Sequence, residues 1–166
     1  MKPPPAQATI HASAVLVGDR AVVIRGPSGS GKSHLAFDLI CAGRTGLLPN
    51  TTLIGDDRIF PVPERGRVVV RHVPELAGLI EIRGLGIRRC AFVPEGVVAL
   101  IVDLAADDAA RLPESVSLKT TLCGAEVARI PVEAGFSALP MVVAWFATAP
   151  ALGIAPATFH QLPDSP

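Results

Sequence analysis

The sequence predicts an α/β fold: a mixed sheet with few helices that carries a P-loop. Three observations point there. The run Gly26-Pro27-Ser28-Gly29-Ser30-Gly31-Lys32-Ser33 fits G-x-x-x-x-G-K-[ST] at every specified position, between an apolar run (Ala21-Val22-Val23-Ile24) and a helical pattern. The long stretch after that first helix carries mostly strand signals, so the chain lacks the strand–helix alternation of a doubly wound sheet. Hydrophobic residues make up 49% of the 166 residues while aromatics are 4% and Tyr is absent, so the core is expected to be aliphatic and to belong to one domain.

Taken in order, residues 13–17 and 21–25 read as two strands around the turn Gly18-Asp19. The P-loop follows, then a helix over residues 32–42 that Gly43 would cap. Short β-rich runs predict strands at 51–54, 59–62, 67–71, 79–83, 87–92 and 97–104. A last helix is expected from Ala138 or Pro140 to Thr148, with Pro140 suiting the first turn. Residues 1–8 are Pro-rich and, like the tail at 161–166, are expected to be flexible, leaving residues 9–160 as a single domain.

Charge, cysteine and hydropathy patterns exclude several classes. Lys plus Arg and Asp plus Glu number 15 each, so the electrostatic footprint of a nucleic-acid binder is missing. Cys41, Cys90 and Cys123 lack C-x-x-C spacing, which argues for buried or half-buried free thiols and against a zinc site or disulfide framework. The start has no apolar h-region and no uninterrupted apolar run reaches ~18 residues, so a cytoplasmic protein with no membrane partner is expected.

The loop residues have separable tasks. Glycines let backbone N–H groups approach phosphate oxygens at the positive end of the following helix. Lys32 would place a cation on the β- and γ-phosphates, and the Ser33 hydroxyl would ligate Mg²⁺, so ATP or GTP is the expected ligand. Phosphoryl transfer also needs a metal shell, a proton acceptor and positive charge. Asp56-Asp57 ends a predicted strand, where one carboxylate could serve the metal and the other take a proton; an ordinary Asp-Asp turn fits equally well. Glu81 and Arg83 would share a strand face ahead of Gly84 and Gly86, either as a second metal ligand with its neighbour or as a surface ion pair.

Together these motifs resemble the HPr kinase/phosphorylase family, bacterial enzymes that phosphorylate a serine of the phosphocarrier HPr. The resemblance spans residues 11–145: His11 ahead of the loop, the loop as G-x-S-G-x-G-K-S, the pair Asp56-Asp57, and the signature E-I-R-G-L-G-I unchanged at residues 81–87. It implies a phosphoenolpyruvate-carboxykinase-like kinase core, with ATP and Mg²⁺ as cofactors and an HPr-type carrier as substrate. It also implies a homo-oligomer, hexameric in the family. His11 would join the active-site set, Lys32 would bind phosphate, and Ser33 and Glu81 would hold Mg²⁺. The aspartate pair would accept the serine proton, with Asp57 favoured over Asp56, and Arg111 in Arg111-Leu112 would be the catalytic arginine.

Two departures accompany the resemblance. Long members carry an additional N-terminal domain, so this chain resembles the short form. The family stretch V-R-P-G-R-N, linked to dephosphorylation, reads Val132-Glu133-Ala134-Gly135-Phe136-Ser137 here. Without both arginines a pocket for phosphate and phosphoserine loses cationic stabilisation, so the kinase direction is expected and phosphorolysis disfavoured. The competing readings are a catalytically weakened nucleotide-binding regulatory module and a small-molecule phosphotransferase. Trp145 and Phe146 on the last helix are expected in the core, with an interface as the alternative.

Overall fold

The sequence folds outward from β8 (Glu95–Leu104), the longest of ten strands in the computed structural model, which describes residues 8–151. Its apolar run lies parallel to β2 (Arg20–Arg25) on one side and β10 (Ala125–Val132) on the other, while its first residues pair antiparallel with β5 (Arg67–His72). A strand hemmed in on both edges and both faces has to be apolar throughout, which is why this run does not alternate. Leu100, Val102 and Leu104 pack in the cluster beneath the helices, and Val98 and Ile101 in a second cluster on the opposite face. The change of parity comes from a register shift: Ala21 pairs with Val98 but Val22 with Leu100, and the extra residue flips every later side chain.

The eight-stranded mixed sheet continues through β1 (Ser13–Val17), antiparallel to both β2 and β3 (Thr51–Gly55), and ends at the other edge with β9 (Lys119–Leu122). β4 (Ile59–Glu64) pairs with β5, and β6 (Leu79–Ile82) with β7 (Gly86–Arg89) forms a separate hairpin. Two α-helices, α1 (Lys32–Arg44) and α2 (Leu139–Ala147), cover one face, α1 burying Leu35, Ala36, Leu39 and Ile40. This is the mixed sheet with few helices that the sequence predicts. Among the described residues no helix is long and apolar enough to cross a membrane.

The topology gathers the motifs. β2, β8 and β10 run parallel, and β3, antiparallel to β1, points the same way. The P-loop, the Arg111 segment, the Val132–Ser137 stretch and Asp56-Asp57 therefore all leave carboxyl ends of strands at one edge, where open α/β sheets bind ligands.

Several expected boundaries move. Gly43 lies inside α1, whose cap is Thr45: a Cβ on Gly43 would sit 2.7 Å from the Thr51 backbone nitrogen, so the glycine permits close helix–strand approach and does not end the helix. Arg83 falls in the turn between β6 and β7 and not on a strand face with Glu81, because Gly84 (φ 84°) and Gly86 (φ 96°) turn the chain there. β7 ends at Arg89, short of the expected Phe92. β9 and β10 are additional strands, joined by Cys123-Gly124 with both residues at positive φ, and Cys123 is exposed. The three thiols are free. Trp145 and Phe146 pack half-buried against the helix-side core, edge to face, beneath the Arg20 guanidinium. The ends expected to be flexible lie, Ala8 excepted, outside the described residues, as does 152–160 of the expected domain.

Candidate active site

The P-loop joins the end of β2 to α1, and its glycines act in two ways. Gly29 (φ 79°) and Gly31 (φ 98°) have open space where a Cβ would stand, so backbone conformation selects them. Gly26 is selected by space: a Cβ there would lie 2.6 Å from Ser30 Oγ and 3.0 Å from Leu104. Pro27, Ser28 and Gly29 form the exposed tip, closed by the Ser30 N–H donating to the Pro27 carbonyl at 3.0 Å. The Ser30 hydroxyl is buried without a hydrogen-bond partner among the described residues, a state that a phosphate oxygen would resolve.

Lys32 is 7% exposed, and its ammonium donates to the carbonyls of Gly26 (2.9 Å) and Pro27 (3.1 Å). The cation is thereby stored across its own loop. Ser33 donates to both carboxylate oxygens of Asp56, at 2.8 and 2.9 Å. Asp56, 3% exposed, also accepts from the Ser13 hydroxyl at 2.5 Å and the Glu81 N–H at 3.0 Å. Four elements converge on this one carboxylate: β1, α1, the end of β3 and β6. Among the described residues no three of His, Cys, Asp and Glu gather as a metal cage. A hydroxyl beside a carboxylate, all hard oxygen, fits Mg²⁺, which takes few protein ligands and completes its shell with phosphate and water.

Asp57, next in sequence, is its opposite. Its side chain is 64% exposed, its φ is +67°, and His11 Nε2 lies 2.9 Å from its Oδ1. The bridge between Ile10 and Ile59 brings His11 there. Positive φ in a non-glycine residue is held by its surroundings and clusters at functional sites. Glu81 is exposed and reaches the site through its backbone, while Arg111 is exposed and has no side-chain hydrogen bond or ion pair among the described residues. His11, Lys32, Ser33, Asp56, Asp57 and Glu81 are thus brought together by contacts. Arg111 shares only their edge of the sheet.

The altered stretch after β10 lines the loop. A cleft of about 220 Å³ is bounded by Gly29, Ser30, Leu104, Ala105, Glu133 and Phe136, which sets an acidic residue and an exposed phenylalanine beside the P-loop. A larger cleft of about 500 Å³ opens at the far edge, around Gly18-Asp19 and Glu64-Arg65, and none of the motif residues lines it.

Sequence reading missed Ser13 and an ion network under the site. Arg25, the residue before Gly26, donates to Asp103 at the end of β8, and Arg129 of β10 shares that carboxylate. Burial alone would raise the Asp103 pKa, but the hydrogen bonds and charges of the two guanidiniums outweigh it and hold the group below the ordinary carboxylate range. An aspartate closing the apolar run 97–102 was a visible signal, but its partner required knowing that β2 and β8 are neighbours.

No model of a known protein family matches the chain. Over 147 residues, 80% of its length, the chain is 34% identical to the HPr kinase/phosphorylase of Mycoplasma mycoides, 44% of which is covered. Over 80 residues, 48% of its length, it is 39% identical to the HPr kinase/phosphorylase of Lactobacillus johnsonii and 40% identical to that of Enterococcus faecalis, covering 23% and 24% of them. The chain thus spans less than half the length of these curated relatives. Among solved structures, the Hpr(Ser) kinase/phosphatase of Coxiella burnetii matches with a TM-score of 0.65 at 24% identity, over 82% of this chain and 91% of that one, a likeness of fold. Shared sequence over 80% of the chain and a shared fold make it a homologue of the HPr kinase/phosphorylases over the stretch they have in common.

Proposed function

We propose that the chain is an ATP- and Mg²⁺-dependent serine kinase whose acceptor is an HPr-type phosphocarrier protein. The observation that carries this reading is the buried Asp56 carboxylate gripping the Ser33 hydroxyl at 2.8 and 2.9 Å, with the next residue, Asp57, exposed against His11. This contrast supports a reading in which one aspartate holds and the other exchanges a proton. The P-loop N–H groups and the Ser30 hydroxyl would bind the phosphates, and Lys32 would trade its two loop carbonyls for phosphate oxygens. Ser33 and Asp56 would hold Mg²⁺, with Glu81 next to them; when bound, the ion would neutralise charge on the β- and γ-phosphates. Asp57 accepts the proton of the attacking serine, with His11 fixing the carboxylate, and Arg111 offsets the charge of the transferring group.

The reverse reaction asks the same site to hold inorganic phosphate beside phosphoserine. Glu133 and Phe136 flank the loop with a negative charge and an apolar ring, which disfavours two phosphate dianions. Incubation with Mg-ATP and an HPr carrier should therefore yield phosphoserine, and inorganic phosphate added afterwards should release no pyrophosphate. Nucleotide binding without transfer would overturn the proposal in favour of a regulatory module. Transfer to metabolites and not to the carrier would make the chain a small-molecule phosphotransferase.

A further inference from the structure

Four charged side chains outside the motifs form one network along the carboxyl ends of β2, β8 and β10. Asp103 accepts from Arg25 Nε at 2.7 Å and Nη2 at 2.8 Å, and from Arg129 Nε at 2.5 Å. Arg129 then turns its terminal nitrogens outward. Nη1 and Nη2 grip the Asp108 carboxylate at 2.7 and 2.9 Å, and Nη1 also meets the Ser117 carbonyl at 2.9 Å. The Arg129 side chain is 13% exposed and uses its planar fork on two carboxylates at once.

Asp108 lies in the segment that leaves β8 and carries Arg111. The segment begins with Ala105 at φ 53°, and the Ala106 N–H donates to the Val132 carbonyl at 2.9 Å. Among the described residues the Arg129–Asp108 pair is the side-chain tie between it and the sheet. An ion pair with a half-exposed carboxylate contributes little to stability, and Arg129 is already satisfied by Asp103, so the bidentate grip matters for geometry. We infer that Arg129, acting through Asp108, is a positioning residue that fixes the Arg111 segment relative to the phosphate loop, whose first strand is held by Arg25 on the same Asp103. This rests on the role proposed above for Arg111.

The test is Asp108→Asn, which keeps both arginines on Asp103. It should lower kcat for carrier phosphorylation about tenfold or more, leave the ATP Kd within about twofold, lower the melting temperature only slightly, and raise hydrogen exchange in the amides of 105–114. In an Arg111→Ala background Asp108→Asn should cost nothing further, because the group it positions is gone. Full kcat in Asp108→Asn, or additive losses in the double variant, overturns the inference. If Arg111→Ala alone keeps full kcat, the role given to Arg111 fails, and the inference with it. If Arg111→Ala loses activity and Asp108→Asn does not, the inference alone fails.

Discussion

Asp56 and Asp57 are neighbours in sequence and belong to two different regions of the site. Asp56, with the P-loop, Lys32, Ser33 and Ser13, is buried and its carboxylate is saturated by three donor groups. Asp57, with His11, is exposed, and its surroundings hold few contacts; Arg111 and the β6–β7 turn are exposed as well. The inner region is organised by folding before any ligand arrives, which suits metal and phosphate binding, where preorganised groups need no rearrangement. The outer region leaves its charged groups open to solvent, which suits the carrier proposed as acceptor. The same division should separate the side chains whose loss disturbs the fold from those whose loss disturbs only the proposed transfer.

Asp56→Ala is the strongest attempt to break that division. It leaves the Ser13 hydroxyl, the Ser33 hydroxyl and the Glu81 N–H without their acceptor, each at roughly 1–3 kcal/mol where buried. Carrier phosphorylation should fall on the order of 10³-fold while the melting temperature drops by many degrees. Asp56→Asn, which retains one carbonyl acceptor, should fold better and still lose most Mg²⁺-dependent transfer. A variant that melts normally and transfers normally would show that the inner carboxylate is neither anchor nor metal shell.

Asp57 should behave in the reverse manner. Asp57→Asn removes the proposed proton acceptor and should lower kcat about 10²-fold, with an unchanged melting temperature, because Asn adopts positive φ as readily as Asp. Asp57→Gly relieves the strain at φ +67° and should raise stability by roughly 1 kcal/mol while losing the same activity. An inactive but more stable protein is the signature of a group retained for chemistry, whereas a loss of stability in Asp57→Gly would place Asp57 in the structural region.

The inner region was largely legible because its residues lie in contiguous motifs. Spacing alone marks Gly26, Lys32 and Ser33, and the apolar runs around them locate β2 and α1. The role of Gly43 was not legible, since a glycine near a helix end reads as a cap unless the approach of Thr51 is known. β9 and β10 escaped because Lys119–Leu122 is short and polar, and Ala125–Val132 mixes Glu126, Arg129 and Pro131 into a strand that is stabilised by its pairing with β8 and β9. The ion network was hidden for a related reason: Arg25, Asp103 and Arg129 are far apart in the chain and become neighbours only through parallel pairing.

Asp103→Asn carries the comparison down to the support of the inner region, with a smaller effect on transfer than either aspartate of the site. At neutral pH it leaves Arg25 and half of Arg129 facing a neutral amide in a largely buried position, at roughly 3 kcal/mol. The Asp103 pKa is depressed in the folded protein, so its contribution is fully present above the unfolded value of about 4 and is lost as the pH falls through the folded value. The gap in melting temperature between the two proteins should therefore be widest near pH 7 and close progressively below about pH 4. Asp108 is depressed in the same direction by Arg129, so Asp108→Asn should show the same sign with a much smaller gap, its carboxylate being open to solvent. A gap for Asp103→Asn that does not vary with pH would mean that packing, and not charge, ties the start of the phosphate loop to β8.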